Sequence, residues 1–336
     1  MNNKVLVVSN PEDEHTRTVC HLLDEYEVQP ILFYPEELSS SCRIELSYED
    51  TKLDPTFVLQ TPEGWHHPEE FLSVWYRRPR PVTLASHNLD AQAIDFARDE
   101  WSTLLRNFYD FLPTARWVSH PRVLERASNK IMQLALARQL GLSIPDTLIT
   151  SDPIAAREFI DRHCGQVIVK PTGKGWIYDA QGEAVTYVLA NRLRADDIDT
   201  LDDVVLAPIT LQQEISKAFE LRVNIVGQKC LAIKIDSQKS EISQVDWRRY
   251  DVANTPYSPF ELPDDVANRC LLVCKELGLE FGAIDLICQP DGGFVFLEVN
   301  GNGQFLWAEE LSGVRVSMQL ACLLAGVSPV LAEFVV

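Results

Sequence analysis

The sequence predicts an α/β chain built from more than one packed unit, and three observations predict it. Its 336 residues exceed what one average hydrophobic core accommodates. Its first stretch reads strand, helix, strand at the spacing of a βαβ unit. Its last third alternates helical and β-rich runs around a Gly-Gly hairpin turn.

Taken in order, Val5–Val8 is an apolar run too short for a signal peptide; it meets Asn10-Pro11-Glu12-Asp13 at once and reads as a first core strand. An acidic amphipathic helix to about Tyr26 and a strand over 30–34 complete the unit. Residues 44–48 and 56–59 alternate as strands do, a Thr61-Pro62-Glu63-Gly64 turn follows, and Val74-Trp75-Tyr76 makes a short strand running into Arg77-Arg78-Pro79. A long helix over about 90–111 closes this half. Pro113 and Pro121 punctuate a connector, after which Ser128 is expected to cap a helix that runs to Leu140 and ends at Gly141. Strand, helix and strand follow between 146 and 170, and β-rich runs surround the polar stretch 194–203. A helix over 264–277, a hairpin turning at Asp291-Gly292-Gly293 and a terminal helix over about 314–324 complete the chain. The expected units are 1–120, 121–210 and 211–336.

Composition excludes several function classes. A net charge of −19 opposes binding to a nucleic-acid backbone, which needs clustered Lys and Arg. No segment offers the roughly 18 uninterrupted apolar residues of a membrane span. The eight cysteines fall at scattered spacings with no Cys-x-x-Cys pair, which disfavours a zinc knuckle or a secreted disulfide framework and points to reduced thiols in the cytoplasm. Cys270 and Cys274, one helical turn apart, read as buried helix-packing thiols.

The most informative segment runs from Ala283 to Asn300. Alternation along its two strands puts Asp285 and Ile287 on one face of the first, and Glu298 and Asn300 on one face of the second. Ile284, Leu286, Val295, Leu297 and Val299 are expected on the opposite, buried face. Three oxygen side chains on rigid strands suit Mg²⁺ in a nucleotide site, with Asp285, Glu298 and Asn300 as its ligands. Lys170 ends an apolar strand and precedes Pro171-Thr172-Gly173-Lys174-Gly175, whose glycines would let backbone N–H groups approach phosphate oxygens. The spacing is not that of a Walker loop, and the same residues would also make an ordinary turn. Glu220 and Arg222 alternate on a later strand, after a strand end and short linker that include Leu211-Gln212-Gln213-Glu214-Ile215.

Lys130 in a helix, Lys170 at a strand end, the Gln213-Glu214-Ile215 linker, Glu220, Arg222 and the Asp285, Glu298, Asn300 set occur in the order that resembles the ATP-grasp superfamily over about residues 120–326. The resemblance implies an ATP-grasp fold, two α+β subdomains clasping ATP, preceded by an open α/β pre-ATP-grasp domain. It implies ATP and Mg²⁺ as cofactors, with Lys130, Lys170 and the lid of Thr172, Gly173, Lys174 and Gly175 on the phosphates. The linker Gln213, Glu214 and Ile215 would meet the adenine, and Glu220 the ribose. Arg222 would neutralise the transferred phosphoryl group. Asp246-Trp247-Arg248 resembles the Asp-aromatic-Arg of glutamate-adding ligases, which makes Arg248 a second anion clamp. Lys234 is a candidate for the same cleft, and Asp236 for a general base.

Val74-Trp75-Tyr76-Arg77-Arg78-Pro79 is similar to the Trp-Tyr-Arg-Arg-Pro signature of the microviridin-type, or graspetide, peptide maturases. That resemblance implies macrocyclisation of a ribosomally made precursor peptide with a leader and an acidic core, and a homodimer. Arg77 and Arg78 would then either line the substrate cleft or serve the domain seam. Two other readings remain: a ligase that appends amino acids to a protein or small carboxylate, and a protein that binds ATP without chemistry.

Overall fold

The computed structural model describes residues 3–50, 55–84, 89–112, 116–173, 175–179, 184–249 and 251–328. Its first unit holds β1 (Lys4–Val8), α1 (Glu14–Glu25), β2 (Gln29–Phe33), β3 (Arg43–Ser47), β4 (Thr56–Thr61), β5 (Gly64–His66), β6 (Phe71–Tyr76), α2 (Ala91–Asp110) and β7 (Arg116–Val118). A parallel sheet of order β2-β1-β6-β7 forms its centre, so the opening strand, helix and strand make the expected βαβ unit. β3, β4 and β5 make a separate antiparallel sheet. One face of the parallel sheet buries Leu6, Val8 and Val74 with Phe108 and Tyr109 of α2.

Next come α3 (Pro121–Ala127), α4 (Lys130–Gln139), β8 (Thr147–Thr150), α5 (Pro153–Arg162), β9 (Val167–Pro171), β10 (Trp176–Tyr178), β11 (Ala184–Tyr187), β12 (Asn191–Arg192), α6 (Ala195–Ile198) and β13 (Ile209–Gln213). A sheet of order β12-β9-β13-β8 packs on α5 through Phe159, Ile160, Val167 and Leu211. Ser128 does not cap the Lys130 helix. It is the C-cap of α3, and Asn129 caps α4 by accepting from the Met132 N–H at 3.0 Å. Two adjacent capping residues served two helices where the sequence pattern showed one.

The last unit holds β14 (Phe219–Val226), β15 (Lys229–Ile235), β16 (Tyr257–Phe260), α7 (Asp264–Leu277), β17 (Phe281–Cys288), β18 (Phe294–Asn300), α8 (Leu306–Ser312) and α9 (Val316–Ala325). Its antiparallel sheet has the order β16-β15-β14-β17-β18. Leu221, Val223, Ile284, Leu286 and Phe296 point to one face and pack on α3, α4 and α7, through Ala127, Leu134, Ala137, Cys270 and Cys274. By packing, then, residues 121–142 go with this sheet, although the sequence grouped them with the central unit. Alternation sends Glu220, Arg222 and Asp285 to the other face, which looks toward the central sheet. A further core joins the first and last units: Val5, Val7, Val19 and Trp75 meet Val226, Phe281, Phe305 and Leu320.

Among the described residues, no helix is long and apolar enough to cross a membrane. All eight cysteines are free thiols, and burial pushes Cys270 up to about 12.

Candidate active site

Between the central and last sheets lies a cleft of about 900 Å³, counted out to its mouth. Lys130, Lys170, Gly173, Gln213, Glu214, Ile215, Glu220, Arg248, Asp285 and Glu298 all line it, so much of the proposed set converges. Ile168, Val188, Ile287 and Leu297 give it apolar walls that suit a flat ring.

Its floor is a pair of cross-strand carboxylates. Asp285 on β17 stands opposite Glu298 on β18, where directly opposed side chains share a face. A bulge between Asp285 and Leu286 sets Leu286 opposite Phe296 and skips Leu297. Leu297 is therefore turned to the cleft and Phe296 to the core, the reverse of strict alternation. Asn300 sits two residues beyond Glu298, its Nδ2 donating to Glu298 Oε1 at 3.4 Å.

Each carboxylate is matched by a cation. Arg222 Nη1 donates to Asp285 Oδ1 at 2.8 Å, and the guanidinium lies 5.7 Å from the Trp247 ring. Lys130 Nζ is 3.2 Å and Arg248 Nη1 3.8 Å from Glu298. Burial raises the Glu298 carboxyl, but Lys130, Arg248 and Lys170 outweigh it and hold the group at about 2. For Asp285, burial dominates over Arg222 and lifts the carboxyl above its ordinary value. Arg248 forks onto Asp246 at 2.8 and 2.7 Å, so the Asp-Trp-Arg stretch is a preset, two-bond clamp.

Glu220 takes Lys217 Nζ at 3.0 Å on Oε1, while its buried Oε2 has no hydrogen-bond partner. Lys217, which lines the cleft and donates to the Val245 carbonyl at 2.9 Å, escaped sequence reading because a lone Lys in an irregular connection carries no pattern. Lys170 Nζ donates to Gln212 Oε1 at 2.7 Å, and burial pushes its ammonium down to about 8. Glu214 accepts from Arg192 Nε at 2.6 Å. Thr172 turns away to Thr210 Oγ1, at 3.1 Å, and does not line the cleft. Gly175 holds φ of +75°, and a Cβ there would stand 2.8 Å from the Val188 carbonyl, so the loop closes only with glycine. Lys174 lies outside the described residues.

Lys234 and Asp236 also need correction. Lys234 faces Leu221 across β14 and β15, on the helix-covered side, and stacks 4.6 Å over Phe219; Ile233 and Ile235 take the cleft side instead. Asp236 follows it, pairing with Lys234 at 2.8 Å and Lys239 at 3.3 Å, and does not line the cleft. Arg77 is not a cleft residue either. It is 1% exposed at the domain seam, where Nη1 donates to the carbonyls of Asn302 and Gly303 at 2.8 and 3.0 Å. Arg78 donates to the same Asn302 carbonyl at 3.1 Å. The loop they hold leads back to the site, because Arg222 Nη2 donates to Gln304 O at 3.1 Å. A Cβ on Gly303 would sit 2.7 Å from that nitrogen.

The residues present fit the groups implied. Mg²⁺ bound beside phosphates needs only one or two carboxylates, and Asp285, Glu298 and Asn300 supply hard oxygens on neighbouring strands. Glu220 Oε2 is an acceptor left open for a ligand hydroxyl.

Comparisons with known proteins agree with this geometry. Residues 4–124 match the family described as the MvdD pre-ATP grasp domain. The chain is 30% identical to a Chryseobacterium gregarium RiPP-associated ATP-grasp ligase, solved in complex with ADP and a leader and core peptide. That match covers 97% of this chain and 98% of the other, with a TM-score of 0.88. It is 26% identical to the macrocyclase MdnC of Microcystis aeruginosa MRC, bound with precursor peptide MdnA, over 96% and 99% of the two chains, with a TM-score of 0.83. Among curated proteins it is 21% identical over 207 residues to alpha-aminoadipate–LysW ligase LysX of Sulfurisphaera tokodaii, covering 60% of this chain and 69% of LysX. With near-complete coverage, an ATP-grasp fold and a nucleotide-type cleft at its centre, the chain belongs to the RiPP-associated ATP-grasp ligases, enzymes that ligate carboxylates at the expense of ATP.

Proposed function

We propose that this enzyme macrocyclises a ribosomally made precursor peptide, activating Asp or Glu side chains as acyl phosphates and closing them onto Ser or Thr as esters or onto Lys as amides. The observation that carries the reading is the floor of the cleft: two facing carboxylates ringed by Lys130, Lys170, Arg222 and Arg248. Similarity over the full length to a ligase solved with ADP, leader and core peptide supports it.

A carboxylate is a poor electrophile because its leaving group would be oxide, whereas an acyl phosphate expels inorganic phosphate. In the first step a peptide carboxylate oxygen attacks the γ-phosphorus of ATP and ADP leaves. In the second, a hydroxyl or amine attacks the acyl carbon and phosphate leaves, its proton passing to solvent or a base. Lys130 and Lys170 hold the phosphates, and Glu220 accepts from the ribose. Arg222 and Arg248 neutralise the equatorial oxygens of the moving phosphoryl group, which is most of what such a transfer asks of a protein. Mg²⁺ held by Asp285, Glu298 and Asn300 would supply further neutralisation of phosphate charge. The enzyme works in the cytoplasm, as a homodimer.

The resemblance to LysX favours one other reading, a ligase that appends amino acids to a protein or small carboxylate. Intact mass separates the two. After incubation of an acidic precursor and its leader with the enzyme, Mg²⁺ and ATP, loss of one water per ring is expected. Gain of amino-acid masses establishes the appending ligase, and ATP left untouched defeats both.

A further inference from the structure

We propose that Gln133 is a positioning residue for the metal-binding strand, its side-chain amide replacing the strand neighbour that the edge of the last sheet lacks. The inference rests on the reading of Asp285, Glu298 and Asn300 as metal ligands.

β18 lies at the edge of its sheet, so its outward N–H and C=O groups need partners from elsewhere. Near its start the Ser143 carbonyl accepts from the Phe296 N–H at 2.8 Å. At Val299 the partner is a side chain. Gln133 Oε1 accepts from the Val299 N–H at 3.0 Å, and Gln133 Nε2 donates to the Val299 carbonyl at 2.9 Å. The same Nε2 donates to the Ala127 carbonyl at 2.6 Å. The amide thus reads both polar groups of one residue as a neighbouring strand would, and it does so at 2% exposure.

Packing alone would not select glutamine here. Burying an amide costs about 1–3 kcal/mol unless its hydrogen bonds are replaced, and Leu or Met would fill a similar volume. What the amide adds is location. Val299 separates Glu298 from Asn300, so rotation of its peptide would swing two of the three candidate ligands. Mg²⁺ demands near-ideal octahedral geometry and tolerates such movement poorly. Gln133 also lies three residues after Lys130, on the same face of α4. One helix face therefore brings Lys130 to Glu298 at 3.2 Å and Gln133 to the next peptide, tying the phosphate-binding helix to the metal strand.

The test is calorimetric titration of the full chain with ADP, with Mg²⁺ and with a chelator. Mg²⁺ is expected to tighten ADP binding in the unmodified enzyme. Gln133→Met should reduce that enhancement about tenfold, the usual effect of removing a partner behind a ligand, while metal-free ADP affinity stays within about threefold. Asn129→Ala uncaps the same helix without touching Val299, and should lower Tm with the enhancement intact. If Gln133→Met does not fold, Gln133→Asn, which keeps an uncharged amide but falls one methylene short of Val299, gives the same contrast. Equal weakening with and without Mg²⁺, or an unchanged enhancement, overturns the proposal. Absence of any Mg²⁺ enhancement in the unmodified enzyme overturns the metal reading beneath it.

Discussion

Lys170 carries a charge that ordinary assay conditions can remove. Burial pushes its ammonium down to about 8, with Lys130 and Arg248 adding to the shift and Glu298 opposing it. A phosphate oxygen gains from the protonated form, so ADP affinity is expected to be full near pH 7 and to fall as pH rises through 8, by up to about tenfold per unit. Lys170→Arg keeps its charge and should flatten the profile; titration from pH 7 to 9.5 checks both, and a flat profile in the unmodified enzyme removes this charge from the phosphate site. The floor carboxylates separate differently. Glu298→Gln and Asp285→Asn are each expected to cut ADP formation at least about 100-fold, since ligand charge is lost at constant size. Their Tm values should differ, because burial already lifts the Asp285 carboxyl above its ordinary value, whereas Lys130, Arg248 and Lys170 overcome burial and hold Glu298 at about 2, so neutralising Glu298 forfeits more of the native state's stabilisation. Equal Tm losses would contradict the burial argument.

At the scale of elements, the side chains of Arg77, Arg78 and His15 tie the first unit to the loop after β18. Arg77 holds the Asn302 and Gly303 carbonyls, and His15 Nε2 accepts from the Phe305 and Leu306 N–H groups at 3.0 and 3.3 Å, capping α8. Accepting requires a neutral ring. Burial, then Arg77, push the imidazole down to about 3, with Asp13 opposing and Arg78 adding. Because the unfolded chain protonates near 6.5 and the native ring does not, this contribution is whole above pH 6.5 and lost as pH falls, by roughly 2 kcal/mol at pH 5. His15→Gln keeps an acceptor and cannot titrate, so its Tm should drop less between pH 7.5 and 5 than that of the unmodified enzyme; parallel curves would refute the cap. Of this seam the sequence offered only Arg77 and Arg78, as one of two readings of those residues, and neither their partners nor His15 was legible. α8 is short and begins in a Gly-Asn-Gly-Gln loop, and the partners of Arg77 are backbone atoms more than two hundred residues away. The β17–β18 hairpin was legible, because alternation and a Gly-Gly turn are local signals, yet its bulge was not, and Val295, opposite Ile287, and Leu297 were both assigned to the wrong face. Lys234 failed for a related reason: period-two alternation says that neighbours face apart, but not which of them faces the cleft. Lys130, Lys170, Glu220 and Asp285 were found because their order along the chain is a pattern, whereas Gln133 and Lys217 act through contacts that have none.

On the scale of the whole molecule, the cores decide what can move. The first and last units share a continuous core through α1, α9 and the end of β14, while the central sheet keeps its own around Phe159, Ile160 and Leu211. Across the cleft the central sheet is tied mainly by polar contacts, such as Arg249 Nη2 to the Ala190 carbonyl at 3.2 Å and to Asn191 Oδ1 at 2.6 Å. A unit whose described residues form a buried cluster of their own is free to shift as a body, and a ligand that touches both sides changes that. Nucleotide held by Lys170 and Gly173 above and by Glu220, Asp285 and Glu298 below would bridge the two sheets. Mg²⁺ with ADP is therefore expected to slow amide exchange in residues 147–213 and along β17 and β18, and to leave β1, β2 and β6 at their original rates. At a hundred times Kd the ligand should also add about 2.7 kcal/mol to stability, seen as a higher Tm. Slowing confined to the last sheet would place the nucleotide on one wall only, and the central sheet would then have no part in closing over it.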